Sequence, residues 1–133
     1  MPDDDILKEA WSEGIVVIVK KTKASIPDAL LDSIAQRFRA MGEPSRLRIL
    51  RELMQGEKSV SQLVESTGLT QSNTSRHLQA LFESALVARR KFGLEVIYYV
   101  SDPMVEQLCE LMCSSELKRL ESAWKQAQVG TRG

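Results

Sequence analysis

The chain has a single histidine and two cysteines among its 133 residues, the cysteines four apart at Cys109 and Cys113. One histidine excludes a histidine-rich zinc site within one chain. Two thiols this close are too few for a disulfide framework. No long apolar run exists either. The longest, residues 15–19, falls far short of the roughly 20 residues that a membrane-spanning helix needs. No basic stretch followed by an apolar segment and a small-residue cleavage site opens the chain, so no signal peptide is expected. A glycine-rich phosphate loop, a second histidine and an acid–base pair are all missing, so no enzyme is expected. Pairing Cys109 with His77 as nucleophile and base would require two separate elements to meet. The expectation is a soluble cytoplasmic protein with reduced thiols and no membrane association.

What is present supports a packed core. Hydrophobic residues make up 43% of the chain, more than a disordered segment carries, and the length suits one domain with extensions. Net charge is zero, with 18 Lys/Arg against 18 Asp/Glu, yet the charges are unevenly placed. Residues 35–101 hold ten basic and six acidic side chains, while residues 1–34 hold four and seven. A basic middle between acidic ends is a modest footprint for a polyanion.

Periodicity orders the elements. Ile6, Leu7, Ala10, Trp11, Gly14, Val17 and Ile18 fall at helical spacing, although residues 15–19 rival that as a strand. Pro27 opens a helix with Leu30, Leu31, Ile34, Phe38 and Met41, closed by Gly42. Pro44 starts the next, with Leu47, Ile49, Leu50, Leu53 and Met54 as its buried face, and Gly56 ends it. Ser59 and Gln62 form a capping-box pattern for a short helix ending near Gly68. Thr70 caps another, with Leu78, Leu81 and Phe82 facing inward. After Ala85 the period changes to two, giving strands at residues 86–91 and 95–100 around Phe92-Gly93-Leu94. Asp102 and Pro103 restart a helix as N-cap and first helical residue, carrying Val105, Leu108, Leu111, Met112, Leu117, Leu120 and Trp124. Met41, Met54, Met104 and Met112 are assigned to the core, and Trp11 and Trp124 to packing of the terminal helices.

Two helices joined by the tight Ser66-Thr67-Gly68-Leu69 turn read as a helix-turn-helix, and the hairpin after it reads as a wing. The fold class is therefore mainly α with a small β-hairpin. The expected domains are an N-terminal helical extension (residues 1–26), a winged helix-turn-helix with a C-terminal dimerisation helix (27–126) and a flexible tail (127–133). The second helix of such a motif places its N-terminal residues at base edges in the major groove. Here Gln71, Ser72, Asn73, Ser75 and Arg76 stand at that end, with His77 and Gln79 following. Gln and Asn pair bidentately with adenine and Arg with guanine. Arg89, Arg90 and Lys91 make the hairpin basic, suited to backbone phosphate or a minor groove. His77 suits either a phosphate or a structural hydrogen bond.

These residues resemble a family. Met41-Gly42-Glu43-Pro44-Ser45-Arg46-Leu47-Arg48-Ile49-Leu50 resembles the "LGDPTRLRIL" opening of ArsR/SmtB-type repressors. Ser59-Val60-Ser61-Gln62-Leu63 is similar to their "CVCDL" segment. Gln71-Ser72-Asn73-Thr74-Ser75-Arg76-His77-Leu78-Gln79-Ala80-Leu81 is similar to their recognition helix. Leu86-Val87, the arginine-rich strand, Gly93 and Tyr98-Tyr99 match their wing. The resemblance spans roughly residues 30–115. It implies a homodimeric transcriptional repressor on a palindromic double-stranded DNA operator, paired through its first and last helices and released by an inducer. Ala85 departs from the glycine usual before "LV", so a different closure of that helix end is expected.

The family's inducer sites are mostly missing. Ser59 and Ser61 replace the thiolate pair, and serine is a poor ligand for soft metals. Asp102 is present, but Met104 stands where a histidine is expected, so Asp102 reads as an N-cap. Cys109 and Cys113 remain. They share one helix face, with two open readings: apolar packing in a dimer interface, or a sensor. As a sensor they would hold a soft metal or metalloid ion, or undergo oxidation or persulfidation. No cofactor is otherwise required. The alternatives at the level of function are a winged helix used for protein contact and a family repressor without metal or thiol sensing.

Overall fold

The computed structural model describes residues 26–131. The expected extension over residues 1–26 therefore lies almost wholly outside the described residues. The chain divides between Arg39 and Ala40 into two units. Helix α1, Asp28–Met41, begins in the first of them. Its opening turn closes on Pro27, whose carbonyl accepts from Leu30 and Leu31 at 3.0 and 3.1 Å. Asp28 complements the helix dipole at this end. Leu31, Ile34 and Phe38 are exposed.

From residue 40 onward the order is α2 (Pro44–Gln55), β1 (Lys58–Ser59), α3 (Val60–Thr67), α4 (Gln71–Glu83), β2 (Ala88–Phe92), β3 (Glu95–Tyr99) and α5 (Pro103–Thr131). Each helix starts on a side-chain cap. Glu43 accepts from the Arg46 amide at 3.0 Å and Pro44 occupies the first turn of α2. Ser59 and Gln62 close a reciprocal capping box at 3.2 and 2.9 Å. Thr70 caps α4 through the Asn73 amide at 3.2 Å. Asp102 accepts from the Met104 amide at 2.9 Å, so its reading as an N-cap stands. Each such cap satisfies a backbone donor that the helix leaves unpaired and contributes about 1 kcal/mol.

The turn between α3 and α4 depends on Gly68, whose φ of 76° lies in the left-handed region. There a side chain costs about 1–2 kcal/mol. Thr67 braces the same turn, its hydroxyl donating to the Leu63 carbonyl at 2.6 Å and accepting from the Leu69 amide at 3.3 Å. Ala85 corrects an expectation. It adopts φ 56°, and the Leu86 amide reaches back to the Leu81 carbonyl at 3.0 Å. The α4 end thus closes in the left-handed way without glycine, because burying Leu86 and Val87 requires the chain to reverse there.

The hairpin becomes a three-stranded antiparallel sheet of order β1-β3-β2, since Lys58 and Ser59 pair with Tyr98 and Ile97. Two residues are too short a strand to show a period, so the sequence gives no sign of β1. Strand β2 begins at Ala88 rather than at residue 86, because Leu86 and Val87 are consumed in the core. That core unites Ile49, Leu50, Leu63, Leu78, Leu81, Leu86 and Val105 with Met41, Leu53 and Tyr98. Each fully buried aliphatic contributes about 1.5–3 kcal/mol. Leu47, expected inside, is exposed. Helix α5 runs to Thr131, past residue 126 where a tail was expected. Beyond Cys109 every described side chain of α5 is exposed, so Met112 lies outside the core to which it was assigned, and Trp124 is exposed as well. No helix of the described residues is long and apolar enough to cross a membrane.

Candidate nucleic-acid interface

Helix α4 is split cleanly between two faces. Thr74, His77, Leu78 and Leu81 are buried, spaced at three and four residues so that they share one side. Gln71, Ser72, Asn73, Ser75, Arg76 and Gln79 are exposed. Thr74, though polar, lies inside at no cost because its hydroxyl donates to the Thr70 carbonyl at 2.7 Å. The helix therefore presents an uninterrupted polar surface from its N-terminus, where free amides also favour phosphate. Arg76 is held on that surface by the Asn73 side-chain oxygen at 3.2 Å.

His77 is turned away from this surface and retains only 9% of its exposure. Its Nδ1 stands 3.8 Å from the Glu43 carboxylate. Burial, the largest influence, pushes its pKa below the ordinary value. Glu43 pulls upward, and Arg76 and Arg46 push downward. The placement among the DNA contacts is thus corrected to the structural alternative, because residue 77 falls on the same helix face as Thr74, Leu78 and Leu81. Glu43 is a residue that sequence reasoning missed. One carboxylate caps α2 and lies 3.8 Å from His77 of α4.

The wing separates its three cations. Side chains alternate along a strand, so Arg89 and Lys91 share one face and Arg90 takes the other. Arg89 packs on α4, its guanidinium carbon 3.9 Å from the Phe82 ring centre and its Nη1 donating to Gln79 at 3.4 Å. Arg90 reaches instead to Glu57, donating at 2.6 Å. Gln79 donates onward to Glu83 at 3.1 Å. Phe82 and Glu57 carry no sequence signal as partners of these cations; only the sheet register and the return of the chain bring them together.

Cys109 is half-buried against the core and Cys113 is exposed. Burial, and then the neighbouring Cys113, raise the Cys109 thiol above its ordinary pKa. Among the described residues no group of three or more His, Cys, Asp or Glu side chains converges as a metal site.

Residues 43–89 match the family described as "Bacterial regulatory protein, arsR family". The chain is 35% identical over 88 residues to a probable mercury resistance operon repressor of Streptomyces lividans, covering 66% of this chain and 70% of that one. It is 36% identical over 89 residues to the HTH-type transcriptional regulator NmtR of Mycobacterium tuberculosis, covering 63% and 74%. Among solved structures it resembles the homodimeric winged helix-turn-helix DNA-binding domain of Mb0332 from Mycobacterium bovis, with a TM-score of 0.67 at 34% identity, covering 76% and 90%. It also resembles Rv0081 of M. tuberculosis, with a TM-score of 0.65 at 31% identity, covering 74% and 97%. The recognition helix, the wing and these likenesses lead to one conclusion: the chain belongs to the ArsR family of bacterial regulatory proteins and is a winged helix-turn-helix transcriptional regulator.

Proposed function

We propose that the protein is a homodimeric, cytoplasmic repressor that holds a palindromic operator through α4 and the wing and releases it when an inducer binds. The observation that carries the reading is the two-faced α4, whose buried side fixes the helix while Gln71, Ser72, Asn73, Ser75 and Arg76 face outward together. Arg76 and Gln71 read base edges, while Ser72, Ser75 and the helix N-terminus hold phosphate. Lys91 and Arg89 supply the wing's phosphate contacts. Arg90, paired with Glu57, contributes through the shape of the wing. The test uses a fragment selected from genomic DNA and fluorescence anisotropy. Arg76→Ala and Gln71→Ala should each weaken operator binding by about 1–3 kcal/mol. Wild-type affinity in both variants would refute the assignment.

Cys109 and Cys113 offer an inducer site on α5 for a soft ion. The donor set is two thiolates with no histidine, which fits a thiophilic ion and not a hard one. The mercury resistance named for the Streptomyces lividans relative supports the same class. Such an ion would be held by the two thiolates, displacing their protons. Release of operator by mercuric ion or arsenite in wild type, but not in Cys109→Ser/Cys113→Ser, is the expected result. Release in both would remove the cysteines from sensing.

A further inference from the structure

A connected chain of side chains leads from the last turn of α4 into the wing. The Gln79 amide nitrogen donates to Glu83 at 3.1 Å, which leaves its oxygen facing Arg89, the donor at 3.4 Å. The same guanidinium lies flat enough on Phe82 for its central carbon to sit 3.9 Å from the ring centre. Phe82 is itself fixed, half-buried against the core. Stacking engages the guanidinium's face and leaves its N–H edges free. One edge donates to Gln79; the remaining donors are open to solvent on an exposed side chain. An arginine already ordered in this way loses less rotamer freedom when it meets a phosphate. Arg90 shows the contrast, since its charge is already matched by Glu57 across the sheet.

We propose that Phe82 and Gln79 are positioning residues that preset Arg89 as the phosphate clamp of the wing, so that recognition helix and wing meet DNA as one unit. Gln79 then acts through Arg89 and is not a base reader, although it stands on the exposed face of α4. The inference rests on the DNA-binding reading above.

The test measures operator affinity of the full chain by anisotropy across a salt series, with thermal unfolding followed in parallel. Arg89→Ala should reduce the slope of log affinity against log salt by about 1.8 for the dimer, one phosphate contact of about 0.9 from each protomer. Phe82→Leu keeps an apolar side chain while removing the aromatic face. It should weaken binding about two- to fivefold and have no further effect in an Arg89→Ala background. Gln79→Ala, at an exposed position where folding is not at stake, should show the same dependence on Arg89. Equal losses with and without Arg89, or an unchanged salt slope in Arg89→Ala, would overturn the proposal while leaving DNA binding intact. A wild type that binds no selected fragment would overturn the DNA-binding reading and this inference with it.

Discussion

Helix α4 has 13 residues and buries four of them, whereas α5 has 29 and, among its described side chains, buries Val105 alone. Both are amphipathic in part, but they leave opposite surfaces uncovered. The outer face of α4 is polar, needs no protein partner and is free to meet a polyanion. Helix α5 leaves Leu111, Met112, Leu117, Leu120 and Trp124 uncovered, the last three on one side, with Trp124 66% exposed. Exposed apolar surface on that scale marks an interaction site, and a long helix gains most of its stability from packing rather than propensity. One end of this regulator is finished by its own core, and the other leaves apolar surface uncovered. The homodimer proposed above would cover it, with apolar residues of α5 as the seam.

The sharpest way to break the comparison is to attack the finished end. Leu78 is wholly buried beneath the recognition surface. Leu78→Ala should cost about 2–5 kcal/mol of stability in urea unfolding, with DNA binding lost as a consequence. A small loss would mean that α4 is not anchored as described. At the unfinished end, Leu117→Ser with Leu120→Ser should leave the fold of residues 40–105 intact. It should weaken dimerisation on the order of 100-fold in analytical ultracentrifugation. An unchanged dimer would place the seam elsewhere.

Smaller effects sharpen the account of α4 itself. Ala85 sits at φ 56°, where a Cβ is strained. Ala85→Gly should stabilise the chain by about 0.5–1 kcal/mol, the relief of that strain set against the extra freedom glycine has when unfolded. Destabilisation in thermal unfolding would show that the alanine methyl packs better than the backbone requires. The least effect is a pH dependence. Burial lowers the His77 pKa below its ordinary 6.5, so the unfolded chain takes up a proton that the folded one resists. Its contribution to stability is present above pH 6.5 and declines as pH falls below that value. Wild type should therefore lose more stability than His77→Gln between pH 7.5 and 5.5; equal losses would deny the burial effect.

Much of this was legible from residue order alone. Pro44, Ser59 with Gln62, Thr70 and Asp102-Pro103 each mark a helix start because the signals at a helix start are local. The apolar spacing of Leu78 and Leu81 likewise fixes which side of α4 is buried. What stayed hidden is non-local. Nothing near Arg89 or Arg90 in sequence names Phe82 or Glu57 as partners. The exposure of Leu47 and Met112 was equally illegible, since periodicity marks an apolar face without naming what covers it.

Hydroxyl-radical footprinting of a selected genomic fragment tests the central claim most directly. Two protected stretches related by two-fold symmetry are expected, their centres about one helical turn apart, both lost with Arg76→Ala. A single asymmetric protection, or a footprint that survives Arg76→Ala, would contradict a dimer reading DNA through α4.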